Sequence, residues 1–527
     1  MKWNILISDP LAEEGVNRLR KEENFEVTER FGMKEEELIK LIPEYHALII
    51  RSENKVTDRV IEVASKLKVI GRAGAGLDNV NIEVATRKGI VVMNTPEGNT
   101  VSAAEHTISM ILALSRNIPQ ANASLKGGRW ERKKFMGTEV YGKTLGIVGL
   151  GRIGGEVARR AQGLQMKVIT CGPFVSQEKA AELEIALFGL EELLPQVDYL
   201  SLHTSLTPQT RNLIGKREIS LMKREARIIN CARGGIIDEK SLYRALKEGR
   251  LKGAALDIFE EEKPFNSPLM ELDAVVFTPH LGASTEEAQK RVAVDMASQV
   301  IDILEDGKIR NAVNIPTLSP QVRKKIGPYL ALAEKMGYLE AQLSEGHPNK
   351  LKVVFSGELV NFEVNPLTVA LVKGLLSFVL KEDVNYVNAL ILAGERGIGV
   401  EETKTSDAGG FTNLISATLI TDLGQRRIDG TIFERTSYIV RIDDYPLEFV
   451  PRGELLICAN EDKPGVVGKI ATALGRYRIN IAGLQMGRKS PGRKNVSVYS
   501  LDSSPSSKAM EEISKIPEVI EAKLVHL

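Results

Sequence analysis

Three side chains near the middle of this sequence have the types and spacing to share one reaction. Arg233 lies in N-C-A-R-G-G (230–235), Glu262 in L-D-I-F-E-E-E-K-P (256–264) and His280 in T-P-H-L-G-A-S-T (278–285). Each stretch follows a short apolar run that reads as a buried strand. The three therefore fall at successive strand ends, where open α/β sheets carry their ligands. Singly, each has an ordinary reading: a surface ion-pair partner, one member of a solvated acidic run, a loop histidine. Together they suit hydride transfer from a 2-hydroxy acid. A guanidinium grips a planar carboxylate through two parallel hydrogen bonds and polarises the neighbouring oxygen. An imidazole takes the hydroxyl proton as hydride leaves, and returns it in the reverse direction. A glutamate beside it orients the ring and stabilises its cationic form. The remaining histidines lack this setting: His106 falls in a helix, His46 before a strand, and His347 and His526 in peripheral positions. His203, in S-L-H-T (201–204), follows a strand and reads as structural.

A hydride needs an acceptor. Gly149-Leu150-Gly151-Arg152-Ile153-Gly154 matches G-x-G-x-x-G, between an apolar strand at 144–148 and an amphipathic helix at 152–163, with a further strand at 166–170. In that setting the glycines allow a tight turn and let the backbone approach a pyrophosphate at the positive end of the helix. An acidic residue about 20 positions on normally binds the adenosine ribose. Here the second strand ends Thr170-Cys171-Gly172-Pro173-Phe174, with Gly172 where that carboxylate is expected. No Arg or Lys lies between Lys167 and Lys179 to hold a 2′-phosphate, so the reading is NAD rather than NADP.

The elements that must position these groups alternate. Apolar runs at 3–7, 47–50, 67–70 and 90–93 are separated by helix-period segments such as 11–21 and 34–42. A long helix starts near Asn99 and ends near Asn117-Ile118-Pro119. A second α/β unit begins at Lys143, with strands near 198–202, 226–230, 253–257 and 274–278, and a helix over 285–306 returns the chain to its first unit. Such alternation marks parallel sheets covered by helices on both faces, with a cleft between the two units. The alternation breaks at Asn314-Ile315-Pro316 and Ser319-Pro320. Beyond it come a helix near 320–345, a strand at 351–356, a helix at 366–380 and paired strands near 413–442. The last part, 454–527, reads strand, helix, strand, strand, helix, strand, the order of a ferredoxin-like unit.

A length of 527 residues suits roughly three to four domains. With 70 Lys+Arg against 69 Asp+Glu, the net charge of +1 argues against nucleic-acid binding, which draws on a cationic surplus. Three scattered cysteines (Cys171, Cys231, Cys458) argue against a disulfide framework or a cysteine metal site, and no metal is expected. No targeting segment is visible, and the longest apolar helix, 367–380, is too short for a bilayer, so a cytoplasmic protein is expected.

The motifs G-L-G-R-I-G, N-C-A-R-G-G, A-A-L-D-I-F-E-E-E (254–262) and P-H-L-G-A-S-T (279–285) resemble those of the D-2-hydroxyacid dehydrogenases. R-A-G-A-G-L-D-N-V (72–80), N-T-P-E-G-N-T (94–100) and W-E-R-K-K-F-M-G (130–137) resemble more closely the phosphoglycerate dehydrogenase branch, in its long form, over essentially the whole chain. The resemblance implies two Rossmann-like doubly wound parallel-sheet domains, an α+β intervening domain and a ferredoxin-like ACT domain. Their expected bounds are 1–98 with 287–316 for substrate, 99–286 for dinucleotide, 317–451 for the intervening domain and 452–527 for the ACT domain. It implies NAD-dependent oxidation of 3-phosphoglycerate to 3-phosphohydroxypyruvate, the first step of L-serine synthesis, with Arg233, Glu262 and His280 catalytic. Cofactor contacts then fall on Ala75, Gly149, Gly151, Arg152, Ile153, Gly154, Gly172, Thr204, Cys231, Ala232, Arg233, Asp257, His280, Leu281, Gly282 and Ala283. Substrate contacts fall on Arg51, Arg72, Gly74, Ala75, Gly76, Arg233 and His280, with Arg132 reaching a neighbouring subunit's site. Lys263 stands where the family usually has proline. The ACT resemblance implies L-serine as effector, bound between paired subunits by Asn460, Asp462 and Asn480, which face one region. A homotetramer follows from pairing through both ends. Other readings are a glyoxylate or hydroxypyruvate reductase, disfavoured by the long stretch after Pro316, and a nicotinamide-responsive corepressor.

Overall fold

The computed structural model describes residues 2–172, 175–316, 320–380, 383–490 and 492–527. Pro173 and Phe174, and the 317–319 segment where the sequence suggests a domain boundary, lie outside the described residues.

The first sheet is wholly parallel, with strands β1 (Trp3–Ile7), β2 (Phe25–Glu29), β3 (Ala47–Ile50), β4 (Val69–Arg72) and β5 (Val91–Asn94) in the order β2-β1-β3-β4-β5. Every residue of β3 and β5 is buried, as expected of strands covered on both faces. Helices α1 (Glu13–Arg20), α2 (Glu35–Leu41), α3 (Asp58–Val63) and α4 (Ile82–Arg87) supply the cover. The order reverses between β1 and β3, so the carboxyl ends of those strands open a crevice at the switch point. β4 lies two residues later than its apolar run suggests, because Gly71 and Arg72 continue the pairing with β5. At Gly71 a side chain would meet the Met296 sulfur of the returning helix, so the glycine leaves room for that methionine.

Helix α5 (Thr100–Arg116) carries the chain into the second unit, and a separate helix α6 (Ile118–Lys126), with proline in its first turn, follows. The second sheet has seven parallel strands: β6 (Thr144–Val148), β7 (Lys167–Cys171), β8 (Ala186–Leu187), β9 (Tyr199–Leu202), β10 (Arg227–Asn230), β11 (Gly253–Leu256) and β12 (Val275–Phe277). Their order is β12-β11-β10-β9-β6-β7-β8. It is doubly wound, with its switch point between β6 and β9. Five helices connect these strands: α7 (Arg152–Gly163), α8 (Gln177–Glu182), α9 (Leu190–Leu193), α10 (Lys216–Leu221) and α11 (Glu239–Lys247). Then α12 (Glu286–Asp306) returns to the first sheet and packs through Val292, Met296 and Val300 into its core.

The remainder forms two sheets that share one core. α13 (Pro320–Leu343) and α14 (Asn365–Val379) cover one face of a mixed sheet, with the short α15 (Ala389–Glu395) beside them. That sheet comprises β13 (Pro348–Gly357), β14 (Gly399–Thr405), β15 (Asn413–Thr421), β16 (Gln425–Phe433), β17 (Thr436–Ile442) and β18 (Tyr445–Phe449), ordered β14-β13-β15-β16-β17-β18. The terminal unit follows the expected order: β19 (Glu454–Glu461), α16 (Val466–Arg476), β20 (Ile481–Arg488), β21 (Lys494–Leu501), α17 (Ser507–Ser514) and β22 (Val519–His526). Its antiparallel sheet runs β20-β21-β19-β22. Alternate residues of β19 explain the packing. Leu456 and Cys458 face α16 and α17, whereas Leu455 and Ile457 join the core of the preceding unit. Among the described residues, no helix is long and apolar enough to cross a membrane.

Candidate active site

The crevice in the first sheet is built by a carboxylate. Asp9, just beyond β1 and fully buried, accepts hydrogen bonds from the backbone N–H groups of Arg51 at 2.6 Å, Glu53 at 3.1 Å and Asn54 at 3.3 Å. This clamp fixes the turn after β3 and presents the Arg51 side chain to the cleft, where its guanidinium donates to the Pro10 carbonyl. One strand further on, Arg72 ends β4. Gly74 and Gly76 make room for guanidinium groups. A side chain at Gly74 would collide with Nη1 of Arg72, and one at Gly76 with Nη2 of Arg233. Burial first, and then like-charge repulsion from Arg233 and Arg51, together lower the Arg72 guanidinium to about 10. Nε of Arg72 is buried without a partner. Two cations of this wall and a third reaching over from the facing one thus crowd together, and an incoming anion would relieve the repulsion.

The facing wall comes from the second sheet. Asn230, at the end of β10, accepts the Ala232 N–H at 3.0 Å and donates to the Arg233 carbonyl at 2.9 Å, which shapes the turn that aims Arg233 across the cleft. There Arg233 Nε lies 3.0 Å from Asp78 Oδ2 of the first unit. After β11, Asp257 is 1 % exposed and collects the Thr278 hydroxyl at 2.6 Å and the N–H groups of Leu281 at 2.7 Å and Gly282 at 2.9 Å. His280 donates its own N–H to the Asp257 carbonyl at 2.9 Å and is held at φ 55°, the left-handed region that costs a non-glycine residue about 1 kcal/mol or more. Its Nδ1 lies 3.6 Å from Glu262 Oε1. Between the walls is a cavity of about 720 Å³, lined among others by Arg51, Arg72, Asn99, Glu262, Lys263 and His280. A carboxylate ligand can meet the arginines there while its neighbouring carbon faces an acid–base pair.

The glycine loop stands at the switch point of the second sheet. Gly149 adopts φ 96° and closes on the Cys171 carbonyl, while a side chain at Gly154 would collide with the Gly149 carbonyl. At Gly151, the N-cap of α7, an added Cβ meets nothing within 4 Å, which leaves the helix N-terminus open to a ligand. Beside it the Thr204 hydroxyl is buried with no partner among the described residues. These features fit a dinucleotide: a close backbone approach, free amides at a helix start and an unsatisfied hydroxyl. Gly172 packs against Gly149 at φ 153° and offers only backbone. His203 lies behind the loop, bonded to Ser201 at 2.8 Å, and burial pulls its ring down to about 4. Arg152 reaches Glu97 across the cleft at 3.7 Å.

Most of the residues expected to meet a ligand lie around this cleft. Arg51, Arg72, Gly74, Glu262, His280 and Ala283 line the cavity, Gly76 abuts Arg233, and Cys231 and Ala232 belong to the turn that presents Arg233. Ala75 accepts from the Asn94 side chain at 2.7 Å, Ile153 packs into the helix core, and Leu281 and Gly282 bind Asp257. Asp257 also lines the cavity, while its carboxylate holds the 278–282 loop. One placement differs from expectation. Asn480 does not share a region with Asn460 and Asp462 within one chain. Ile481 pairs with Leu501 and Glu454 also pairs with Leu501, whereas Glu461 pairs with Lys494 at the opposite end of the sheet. Asn480 instead donates to Asp502 at 2.6 Å. Asn460 is buried against Ser497, and Asp462 accepts the Gly492 N–H. Arg132 sits in an exposed turn outside the cavity of its own chain. Sequence reading missed Asp9, Asn99, Asn230 and Asp78. Of these, Asn99 carried a signal, since it precedes a long helix as its N-cap, and its Oδ1 is buried without a partner.

Comparison with known proteins bears on the whole chain. Residues 108–282 match the D-isomer specific 2-hydroxyacid dehydrogenase NAD binding domain, 325–443 the D-3-phosphoglycerate dehydrogenase intervening domain and 454–518 the ACT domain. A D-3-phosphoglycerate dehydrogenase of Methanocaldococcus jannaschii is 44% identical over 99% of this chain and 99% of its own. One from Synechocystis is 44% identical over 99% of this chain and 94% of its own. Among solved structures, a D-lactate dehydrogenase from Aquifex aeolicus complexed with NAD and lactic acid is 26% identical. It has a TM-score of 0.53 and covers 60% of this chain and 100% of its own.

Proposed function

Because the chain belongs to the D-3-phosphoglycerate dehydrogenase family of D-isomer-specific 2-hydroxyacid dehydrogenases, we propose that it oxidises 3-phosphoglycerate to 3-phosphohydroxypyruvate with NAD, and runs the reverse reduction. The nicotinamide of bound NAD supplies the hydride acceptor. Arg233 binds the substrate carboxylate, His280 takes the hydroxyl proton at its ring nitrogen, and Glu262 at 3.6 Å steadies the imidazolium that results. Arg51 and Arg72 hold the phosphate. The observation that carries this reading is the crowding of Arg51, Arg72 and Arg233 in one cleft, more positive charge than a single carboxylate requires. The assay is NADH oxidation with 3-phosphohydroxypyruvate and hydroxypyruvate side by side. Fast turnover favouring the phosphorylated acid supports the reading, and preference for hydroxypyruvate overturns it.

The ACT domain calls for a small-molecule effector, and we assign L-serine, acting in the cytoplasm on the first step of its own synthesis. The four domains take the bounds 1–98 with 287–316, 99–286, 317–451 and 452–527. Ile118, Leu125, Trp130, Met136 and Tyr141 all stand exposed along α6 and the segment after it. So apolar a stretch supports subunit pairing there, with Arg132 in the same segment reaching a partner's cleft. Pairing at this end and through the ACT domains gives a homotetramer.

A further inference from the structure

We propose that His106, on α5, is a positioning residue for His280: its ring holds the buried Asp257 carboxylate that in turn holds the 278–282 loop. The inference rests on the role given above to His280. Nε2 of His106 lies 3.0 Å from the Thr278 hydroxyl and 3.1 Å from Asp257 Oδ1. The roles of these atoms are fixed by elimination. The Thr278 hydroxyl spends its hydrogen on Asp257 Oδ1 at 2.6 Å, so its oxygen can only accept, and a carboxylate accepts as well. The proton between the three groups therefore belongs to Nε2 of His106.

The contact is one of a series on a single helix face. Ser102, His106 and Met110 follow at intervals of four residues, which puts them in line along α5. The Ser102 hydroxyl donates to the Gly282 carbonyl at 2.9 Å, His106 meets Asp257 and Thr278, and the Thr278 hydroxyl lies 3.8 Å from the Met110 sulfur. The helix thus grips both ends of a five-residue loop that carries His280 in a left-handed conformation. Asp257 is the shared anchor, and burial opposes its charge. Hydrogen bonds from His106, Thr278 and Leu281 nonetheless hold its carboxyl below the ordinary carboxylate range. Among side chains, His106 is its basic partner, and removing the ring takes a donor from a carboxylate that water barely reaches. The loop then trades a fixed His280 for a mobile one.

The test uses the full-length enzyme in three variants. His106→Gln keeps an N–H donor near the position of Nε2; His106→Asn keeps an amide but falls short of it; His106→Leu has none. Two readouts are taken: backbone hydrogen exchange of the 278–285 peptide without substrate, and reduction of 3-phosphohydroxypyruvate. The expected result is exchange accelerated about tenfold in His106→Leu and His106→Asn, confined to that peptide, with His106→Gln close to the parent. In the same two variants kcat falls roughly 10- to 100-fold, as for loss of an outer hydrogen-bond partner of a reacting group, while KM and the NADH Kd move less than about threefold. Unchanged exchange in His106→Leu overturns the proposal, whatever the activity. So does equal damage in His106→Gln, which would mark a packing role. Should the parent enzyme reduce neither acid, the assigned reaction falls, and the exchange data alone still decide whether His106 holds the loop.

Discussion

Replacing Arg51 by alanine isolates the phosphate contribution, because the turn that bears it does not depend on its side chain. Asp9 grips the backbone N–H groups of residues 51, 53 and 54, and among the described residues the guanidinium's own tie is one bond of 3.3 Å to the Pro10 carbonyl. Arg51→Ala therefore removes a charge and leaves the crevice in place. Desolvation pulls the Arg51 guanidinium down from its usual value, with Asp9 and Glu53 acting the other way, so it stands in a partly dehydrated setting where a charge-assisted bond counts. Such a bond contributes about 1.5–3 kcal/mol. Taking about 2 kcal/mol, kcat/KM for 3-phosphohydroxypyruvate should fall about 30-fold. Hydroxypyruvate has no group for Arg51 to hold and should lose less than about threefold. Steady-state NADH oxidation with the two acids at one ionic strength gives the ratio. Arg51→Lys should recover part of the loss, since a point charge replaces the planar donor set. Equal losses on both acids would refute the reasoning, because they would make Arg51 a structural or carboxylate-binding residue. A loss confined to hydroxypyruvate would refute it more directly.

Three further outcomes follow from other parts of the molecule. Gly154→Ala sets a Cβ against the Gly149 carbonyl and should abolish NADH binding, read by fluorescence titration, with the thermal transition of the regulatory half retained. Glu340 on α13 is fully buried, neither carboxylate oxygen has a well-formed hydrogen bond among the described residues, and burial, against the pull of Arg426 and Ser344, raises its pKa well above the ordinary value of 4.5. A carboxyl raised in the folded state binds more protons there than in the unfolded chain, so its contribution is present below pH 4.5 and is lost as pH rises toward the folded value. Glu340→Gln should remove that loss, raising stability near pH 8 by of order 1–3 kcal/mol and flattening the dependence of Tm on pH. A parallel fall in both proteins would sink the argument. For the effector, the strand register places Asn460 and Asn480 at opposite ends of one sheet, so a shared L-serine site needs both from different copies. Asn460→Ala and Asn480→Ala should each abolish inhibition, and a mixed dimer of the two should regain half of its sites; a mixed dimer without inhibition would place the site within one chain.

What the sequence made legible was local. The glycine loop, and the polar residues ending β10, β11 and β12, are visible because short apolar runs announce each strand and the motif follows at once. The clamps were not legible. Asp9 acts on residues more than forty positions away, and Asp257 looks like any acidic residue at a strand end until Thr278 and Leu281 are folded onto it. Strands were missed where they lie half-exposed. β2 (F-E-V-T-E) and β14 (G-V-E-E-T-K-T) are charged edge strands without a continuous apolar run, and β18 carries Pro446, which reads as a turn. At an edge, the missing N–H of proline costs no ladder bond, so the tertiary position overrides the local signal. That Asn460 and Asn480 stand at opposite ends of the sheet within one chain was not legible either, because the resemblance does not say which copy supplies each residue.

The two halves of the molecule meet one short strand away from Arg72. The intervening and ACT units share one core. That body docks on the first sheet's unit: Asn385 donates to the Gly89 carbonyl at 2.9 Å, Glu395 pairs with Arg87 at 2.9 Å, and Val387 enters the first unit's core. Two residues beyond Gly89 begins β5, which is fully buried, pairs with β4 along its length and ends at Asn94 opposite Arg72. The Asn94 side chain donates to the Ala75 carbonyl, beside the glycines that seat Arg72 and Arg233. One short strand, about 13 Å long, therefore connects the docking point with the wall that holds Arg51 and Arg72. The glycine loop and His280 belong to the other wall. An effector acting by this route should change how the acid's charges are met, read as a shift in KM for 3-phosphohydroxypyruvate, with the NADH Kd unchanged; a shift in the NADH Kd alone would refute the route.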